Sequence, residues 1–192
     1  MTRPLLSVRF PNAMTAASTN NSPMIRPLAL SDEHMLRELY EEIDNESRFM
    51  MYEAGERRFT AAYFQGLLRH FRENGSLFLV CEENGKLSGL LTADRGACKR
   101  IRHTAYITVA VRKDCRKRHI ASGMFAAAEE WARASGILRL ELTVLCRNEA
   151  ATALYGKLGY VTEGIRRGSM LIDGELNDEY YMAKLLESGK AI

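Results

Sequence analysis

Several patterns that would place this chain in a common protein class are missing from its sequence. No stretch approaches the ~20 consecutive apolar residues of a membrane-spanning helix, so we expect no membrane association. The four cysteines stand apart with no Cys-x-x-Cys pair, and the four histidines are equally dispersed. We therefore predict neither a disulfide framework nor a metal site, and the isolated thiols favour a reducing, cytoplasmic location.

A strong excess of charge of one sign is also missing. The formal net charge is +3 over 192 residues, which is too small to indicate a nucleic-acid partner. The basic residues are concentrated between positions 95 and 118, so they suit a local polyanion such as a coenzyme. With 46% hydrophobic and 27% charged residues, the composition is that of an ordinary globular domain.

The order of hydrophobic patterns predicts one α/β domain. Residues 1–22 have no sustained period and are expected to form a flexible N-terminal extension, and 23–192 to form the domain. The order β-α-α-β-β-β-α-β-α-β-β predicts a mixed sheet with helices packed on it. Ser31 is the expected N-cap of the first helix, over 32–43, and Thr60 and Gly75 should bound the second helix.

A basic loop follows the strand predicted over 102–111 and leads into an alanine-rich helix. The N-terminus of such a helix offers free backbone N–H groups and a positive dipole end, which together bind phosphate. The alternative is a solvated charged turn. The residues expected at this site are Arg116, Lys117, Arg118, His119, Ile120, Ala121, Ser122 and Gly123.

A second pattern runs from Asn148 to Tyr160. Asn148, Ala151 and Tyr155 stand at i, i+3 and i+7, so one helix face presents a capping amide, a small side chain and a phenol. Such a face can line a slot for a ligand. The alternative for Tyr155 is a half-buried helix tyrosine whose hydroxyl is paired to a neighbour.

Both patterns resemble those of the GNAT N-acetyltransferase superfamily. Arg116-x-x-His119-x-Ala121 resembles the R/Q-x-x-G-x-G/A signature, although His119 stands where family members carry Gly. The stretch 148–160 is similar to N-x-x-A-x-x-L-Y-x-x-x-G-F/Y at every specified position. The resemblance covers about 24–187. It implies the GNAT mixed-sheet fold and transfer of an acetyl group from acetyl-CoA to a primary amine in a ternary complex, without a metal.

The resemblance also implies roles for individual residues. The loop of 116–123 would bind the pyrophosphate, the pantetheine arm would follow the backbone of a splayed strand at Val109, Ala110 and Val111, and Asn148, Ala151 and Tyr155 would line the slot. Tyr155 is the expected proton donor to the departing thiolate. At position 119, His tolerates positive φ better than most residues, and its side chain is expected to point to solvent.

Three points stay open in the sequence. The general base is Glu141, His103 or a chain of ordered water molecules. The acceptor is a small-molecule amine or an amino group of a peptide or protein, and its site is expected to be formed by the loop of 44–59 and the closing strands. The protein can be a homodimer. A non-catalytic acetyl-CoA sensor is the alternative function, which the presence of Tyr155 disfavours.

Overall fold

The computed structural model describes residues 22–186. This part of the chain forms seven strands and four α-helices in the predicted order, which confirms the α/β class. The strands are β1 (Met24–Pro27), β2 (Leu77–Glu83), β3 (Lys86–Arg95), β4 (Thr104–Val111), β5 (Arg139–Leu145), β6 (Val161–Ile172) and β7 (Glu175–Leu185). The helices are α1 (Glu33–Glu46), α2 (Ala61–Asn74), α3 (Ile120–Ala134) and α4 (Glu149–Lys157).

All seven strands belong to one mixed sheet with the order β1-β2-β3-β4-β5-β7-β6. Every neighbouring pair is antiparallel except β4 and β5, which run parallel. The parallel pairing is short: it joins 104–106 to 139–141 and ends at Tyr106 and Glu141. Beyond that point the two strands diverge, and the sheet opens in its middle.

Two apolar cores cover the two faces of the sheet. On one face, Met124, Phe125 and Ala128 of α3 pack with the buried side chains of β5, and Tyr155 of α4 joins the same cluster. On the other face, α1 and α2 bury a second set of side chains that includes Leu36, Leu39, Ile43, Phe64 and Phe71. The opening between β4 and β5 is therefore enclosed by helices on both sides.

Most of the predicted helix ends are confirmed. The Thr60 hydroxyl accepts a hydrogen bond from the Tyr63 N–H at 3.1 Å, and Gly75 ends α2 with a φ of 66°. The predicted Ser31 cap is wrong, because a short 3-10 turn precedes α1. In this turn, the buried Asp32 carboxylate accepts a hydrogen bond from the Ala29 N–H at 2.8 Å and pairs with Arg26 at 2.7 Å. These contacts fix the chain between β1 and α1.

Two further predictions concern larger parts of the chain. The expected flexible extension falls almost entirely on residues 1–21, which lie outside the described residues. Between residues 22 and 186, no helix combines the length and apolar character needed to cross a membrane. The same residues contain no group of three or more His, Cys, Asp or Glu side chains placed to hold a metal ion.

Candidate active site

A cavity of about 760 Å³ lies where β4 and β5 diverge. One wall is the β4 stretch that includes Val109, Ala110 and Val111, and the facing wall is the end of β5 from Thr143 to Leu145. The far edge of this β4 stretch pairs with β3, from Val109 with Leu91 to Val111 with Gly89. Its near edge faces the cavity, so backbone groups there are open to an extended ligand, except the Val111 carbonyl, which accepts from Arg116 Nε at 3.1 Å.

The basic loop closes one end of the cavity. After β4 the chain makes a short 3-10 turn over Lys113–Cys115, and α3 then begins at Ile120. The first turn of α3 leaves backbone N–H groups without intrahelical acceptors, and the positive end of the helix dipole adds to their effect. Of the predicted phosphate-binding residues, the cavity is lined by Arg116, Lys117, His119, Ile120, Ala121 and Ser122.

His119 adopts the conformation that the family pattern fills with glycine. It is the N-cap of α3, with φ 62° and ψ 11°, in the left-handed region. Lys117, two residues earlier, also has a positive φ of 61°. The backbone therefore follows the glycine path at a steric cost, and the His119 residue is exposed.

Carboxylates from α1 and β2 hold the basic loop in place. Glu42 pairs with Arg112 at 2.9 Å, and the Lys113 N–H donates to Glu46 at 2.5 Å. Glu83 of β2 forms an ion pair with Arg118. Arg118 is thus turned to the β2–β3 hairpin and does not line the cavity, whereas Lys117 has no ion-pair partner among residues 22–186.

Gly123 also lies outside the cavity lining. A Cβ at this position would lie 2.8 Å from Cδ1 of Ile25. A larger residue would therefore make the Ile25 side chain shift, because α3 packs closely against β1 at this point. Its contribution to the loop is indirect, through the position of the helix that carries the cavity-lining residues.

The α4 helix forms the next part of the wall. The Asn148 side chain accepts a hydrogen bond from the Ala151 N–H at 3.3 Å, which fixes the start of the helix, and both residues line the cavity. Tyr155 also lines the cavity. Most of its side chain is buried, and its ring centroid lies 5.6 Å from that of Phe125. Burial, with the nearby Tyr106, raises the pKa of Tyr155 to about 12. The hydroxyl therefore stays protonated at neutral pH and is available as a donor.

The opposite end of the cavity is built from side chains of distant segments. Its lining consists of Ser47, Phe49, Met50, Met51, Tyr106, Thr143, Met170 and Glu179. The hydroxyls of Tyr106 and Thr143 are 2.7 Å apart and join β4 to β5 across the opening. Sequence reasoning singled out the loop of 44–59 and the closing strands, but it did not identify Tyr106, Thr143 or Glu179 as site residues, because no spacing distinguishes them from other strand residues.

The two candidate bases lie away from this cavity. Glu141 accepts a hydrogen bond from Arg139 at 2.8 Å and is not part of the cavity lining. His103 lies in the turn before β4, where its carbonyl accepts from the N–H groups of Leu138 and Arg139. Neither side chain is in direct contact with the space around Tyr155.

The cavity thus lies between two splayed parallel strands, beside a helix N-terminus and a protonated phenol, as expected for an acetyltransferase of the family that the sequence resembles. The chain belongs to the acetyltransferase (GNAT) family, whose family model matches residues 34–160. It is an acetyl-CoA-dependent N-acetyltransferase. The fold and co-substrate expected from the sequence are thereby confirmed.

Similar proteins support this assignment. The chain is 33% identical over 111 residues to an L-amino acid N-acetyltransferase of Escherichia coli (strain K12), over 56% of this chain and 67% of the relative. A GNAT acetyltransferase structure from Streptococcus pneumoniae is 28% identical, with a TM-score of 0.81 over 86% of this chain and all of that chain. A putative acetyltransferase from Salmonella typhimurium, solved with acetyl-CoA, shares the fold with a TM-score of 0.78 at 19% identity, over 89% of this chain and 98% of that chain.

Proposed function

We propose that this enzyme transfers the acetyl group of acetyl-CoA to a primary amine by direct attack in a ternary complex. The acceptor is a small molecule or an amino group of a peptide or protein, and L-amino acids are one candidate class because the Escherichia coli relative is named for them. The observation that carries the proposal is the single cavity, which reaches from the start of α3 past Tyr155 to Glu179. Both reactants can therefore meet in one space.

The coenzyme end of the cavity supports binding of the acetyl-CoA chain. The N–H groups at the start of α3, together with Arg116 and Lys117, face the position of the pyrophosphate. The open edge of β4 at Val109, Ala110 and Val111 can hydrogen-bond the amide groups of the pantetheine arm. Asn148 and Ala151 line the slot on the α4 side, so the thioester lies near Tyr155.

The reaction then needs two proton transfers. The neutral amine nitrogen attacks the thioester carbon, the C–S bond breaks, and the nitrogen gives up a proton. Tyr155 donates its hydroxyl proton to the departing thiolate and recovers one from water afterwards. Glu141 is tied to Arg139 outside the cavity, so it acts as base only through water, and we favour an ordered water chain for this step.

Two measurements on the full chain test the proposal. Saturating acetyl-CoA should raise the melting temperature, because a ligand at about 100 times its Kd stabilises the native state by about 2.7 kcal/mol. A thiol-release assay with acetyl-CoA and a panel of primary amines should then show turnover. An unchanged melting temperature would contradict the coenzyme site, and binding without release for any amine would favour the sensor alternative. A cytoplasmic location and a homodimer stay predictions.

A further inference from the structure

The acceptor end of the cavity contains one buried carboxylate, Glu179 of β7. Only 8% of this residue is exposed, and it pairs in register with Leu145, whose strand forms the cavity wall. One carboxylate oxygen, Oε2, accepts hydrogen bonds from the Ser169 hydroxyl at 2.8 Å and from Arg166 at 3.0 Å. The side chain is therefore held in a fixed orientation from the β6 side.

The second oxygen of Glu179 is free to bind another group. A carboxylate can accept about four hydrogen bonds, and no donor among residues 22–186 approaches Oε1. This oxygen keeps contact with solvent, because the Tyr160 hydroxyl is the one fully buried side-chain polar atom of residues 22–186 that has no hydrogen-bond partner. The free oxygen belongs to a residue of the cavity lining, so a bound acceptor can supply the missing donor.

The side chains around Glu179 indicate what kind of acceptor molecule could carry this hydrogen-bond donor. The neighbouring walls of the acceptor end are formed by aromatic and thioether side chains: Phe49, Met50, Met51, Tyr106 and Met170. The cationic side chains of the lining, Arg116, Lys117 and Lys157, come from the basic loop and the end of α4. Arg166 is not part of the lining and is already paired with Glu179. Within residues 22–186, no positive side chain lines the acceptor end.

We infer that Glu179 binds the ammonium group of the acceptor and selects amines whose neighbouring substituent is uncharged and apolar. A free amino acid would bring its own carboxylate into an end of the cavity whose lining offers no cation to pair with it, since Arg166 is already paired with Glu179, and a poorly solvated charge without a partner is costly. A simple amine or the first residue of a peptide has no such charge. The inference rests on the proposed function and narrows its acceptor class.

Matched acceptors test this selectivity with the full-length enzyme. Phenylalaninamide and phenylalanine share an amine and an aromatic side chain, but only phenylalanine carries a carboxylate beside the amine. We expect kcat/KM for phenylalaninamide to exceed that for phenylalanine by at least about tenfold. Glu179→Gln should raise the KM for phenylalaninamide about 10–100-fold with a much smaller change in kcat, as expected for loss of a charged hydrogen bond.

A control variant and a second measurement separate this effect from misfolding. Glu163→Gln removes another carboxylate of the same sheet, one that is paired with Arg139 outside the cavity, and it should leave the KM unchanged. The stabilisation by acetyl-CoA should be the same in both variants as in the wild type, since Glu179 lies at the acceptor end.

The outcomes distinguish the inference from the proposed function. A wild type that acetyl-CoA does not stabilise would overturn the proposed function, and the inference with it. If acetyl-CoA binds, the inference alone is overturned by an unchanged KM in Glu179→Gln, by a preference for phenylalanine, or by failure to acetylate either acceptor.

Discussion

The two ends of the active-site cavity are built in different ways. The proposed coenzyme end comes from two short stretches of chain, 107–122 and 144–157, and offers mainly backbone groups of β4 and α3. The acceptor end joins side chains from the loop after α1, from β4 and β5, and from the β6–β7 hairpin. A site formed by backbone groups should tolerate changes of side chain, such as His119 in place of glycine, whereas the acceptor end should depend on the identity of each residue.

The two ends also differ in how firmly their walls are held. The basic loop is fixed by Glu42, Glu46 and Glu83, which reach it from α1 and β2. At the acceptor end, an Arg48–Asp173 pair at 2.7 Å links the loop after α1 to the tip of the β6–β7 hairpin, and both side chains are more than 60% exposed. Exposed pairs contribute little stability. The acceptor walls are therefore the easier part of the cavity to adjust.

The largest effect is expected where the two ends meet, at Tyr155. Tyr155→Phe keeps the ring packed against Phe125 but removes the proton donor, so kcat should fall by about 10²–10⁴-fold. Stabilisation by acetyl-CoA should be retained, because the hydroxyl is needed only as the thiolate leaves. Steady-state kinetics in the thiol-release assay and melting curves measure the two quantities.

The control for this change is Tyr160→Phe. Tyr160 belongs to the same aromatic cluster, with its ring centroid 6.1 Å from that of Tyr155, but it does not line the cavity. The kcat of the Tyr160→Phe variant should equal that of the wild type. Equal rates for Tyr155→Phe and Tyr160→Phe would assign protonation of the thiolate to a water molecule or another hydroxyl.

A negative charge at the coenzyme end should weaken binding at that end alone. Ala121→Asp places a carboxylate in the first turn of α3, where it suits the helix dipole but would face the pyrophosphate in the proposed binding mode. Repulsion in a partly buried site should raise the Kd for acetyl-CoA about 10–100-fold by calorimetry. Ala126→Asp, on the exposed side of the same helix, should bind as the wild type does. Equal affinities in the two variants would place the pyrophosphate elsewhere.

Because the Tyr155 phenol is buried between the two ends of the cavity, we expect the free energy of unfolding to fall at alkaline pH. Tyrosine in the unfolded chain ionises near pH 10, whereas burial and Tyr106 raise the pKa of Tyr155 to about 12. The unfolded state therefore loses its proton first, and the free energy of unfolding falls as pH rises from 10 to 12. This residue alone should account for about 1.4 kcal/mol at pH 11. Urea unfolding at pH 8 and pH 11 should show a smaller loss for Tyr155→Phe, and equal losses would contradict the prediction.

The smallest effect should come from replacing His119 by the family glycine. His119→Gly removes the cost of positive φ, which exceeds the added flexibility of glycine in the unfolded chain, so stability should rise by about 0.5–1 kcal/mol. Ala126→Gly, in the middle of α3, should instead destabilise by about 1 kcal/mol. Urea denaturation of both variants measures the difference, and a loss of stability in His119→Gly would mean that the imidazole makes contacts of its own.

Local signals predicted most of the helix ends well. Thr60 and Asn148 cap α2 and α4 as their positions in the sequence indicate, because a capping side chain bonds to the backbone only three residues away. The Ser31 cap failed because Arg26, which also pairs with Glu82 of β2, holds the neighbouring Asp32 in a 3-10 turn before α1. Tertiary contacts therefore determined where α1 begins.

The sequence by itself determined the order of the elements, the glycine-like turn at position 119 and the α4 face that carries Tyr155, because each depends on residues within a few positions of one another. Only the tertiary structure decided that Arg118 and Gly123 serve the loop from outside the cavity, and that Glu141 is tied to Arg139. It also brought Glu179 beside the loop of 47–51, more than 120 positions away in the chain. Long-range strand pairing sets which side chains share a cavity, and no local pattern records it.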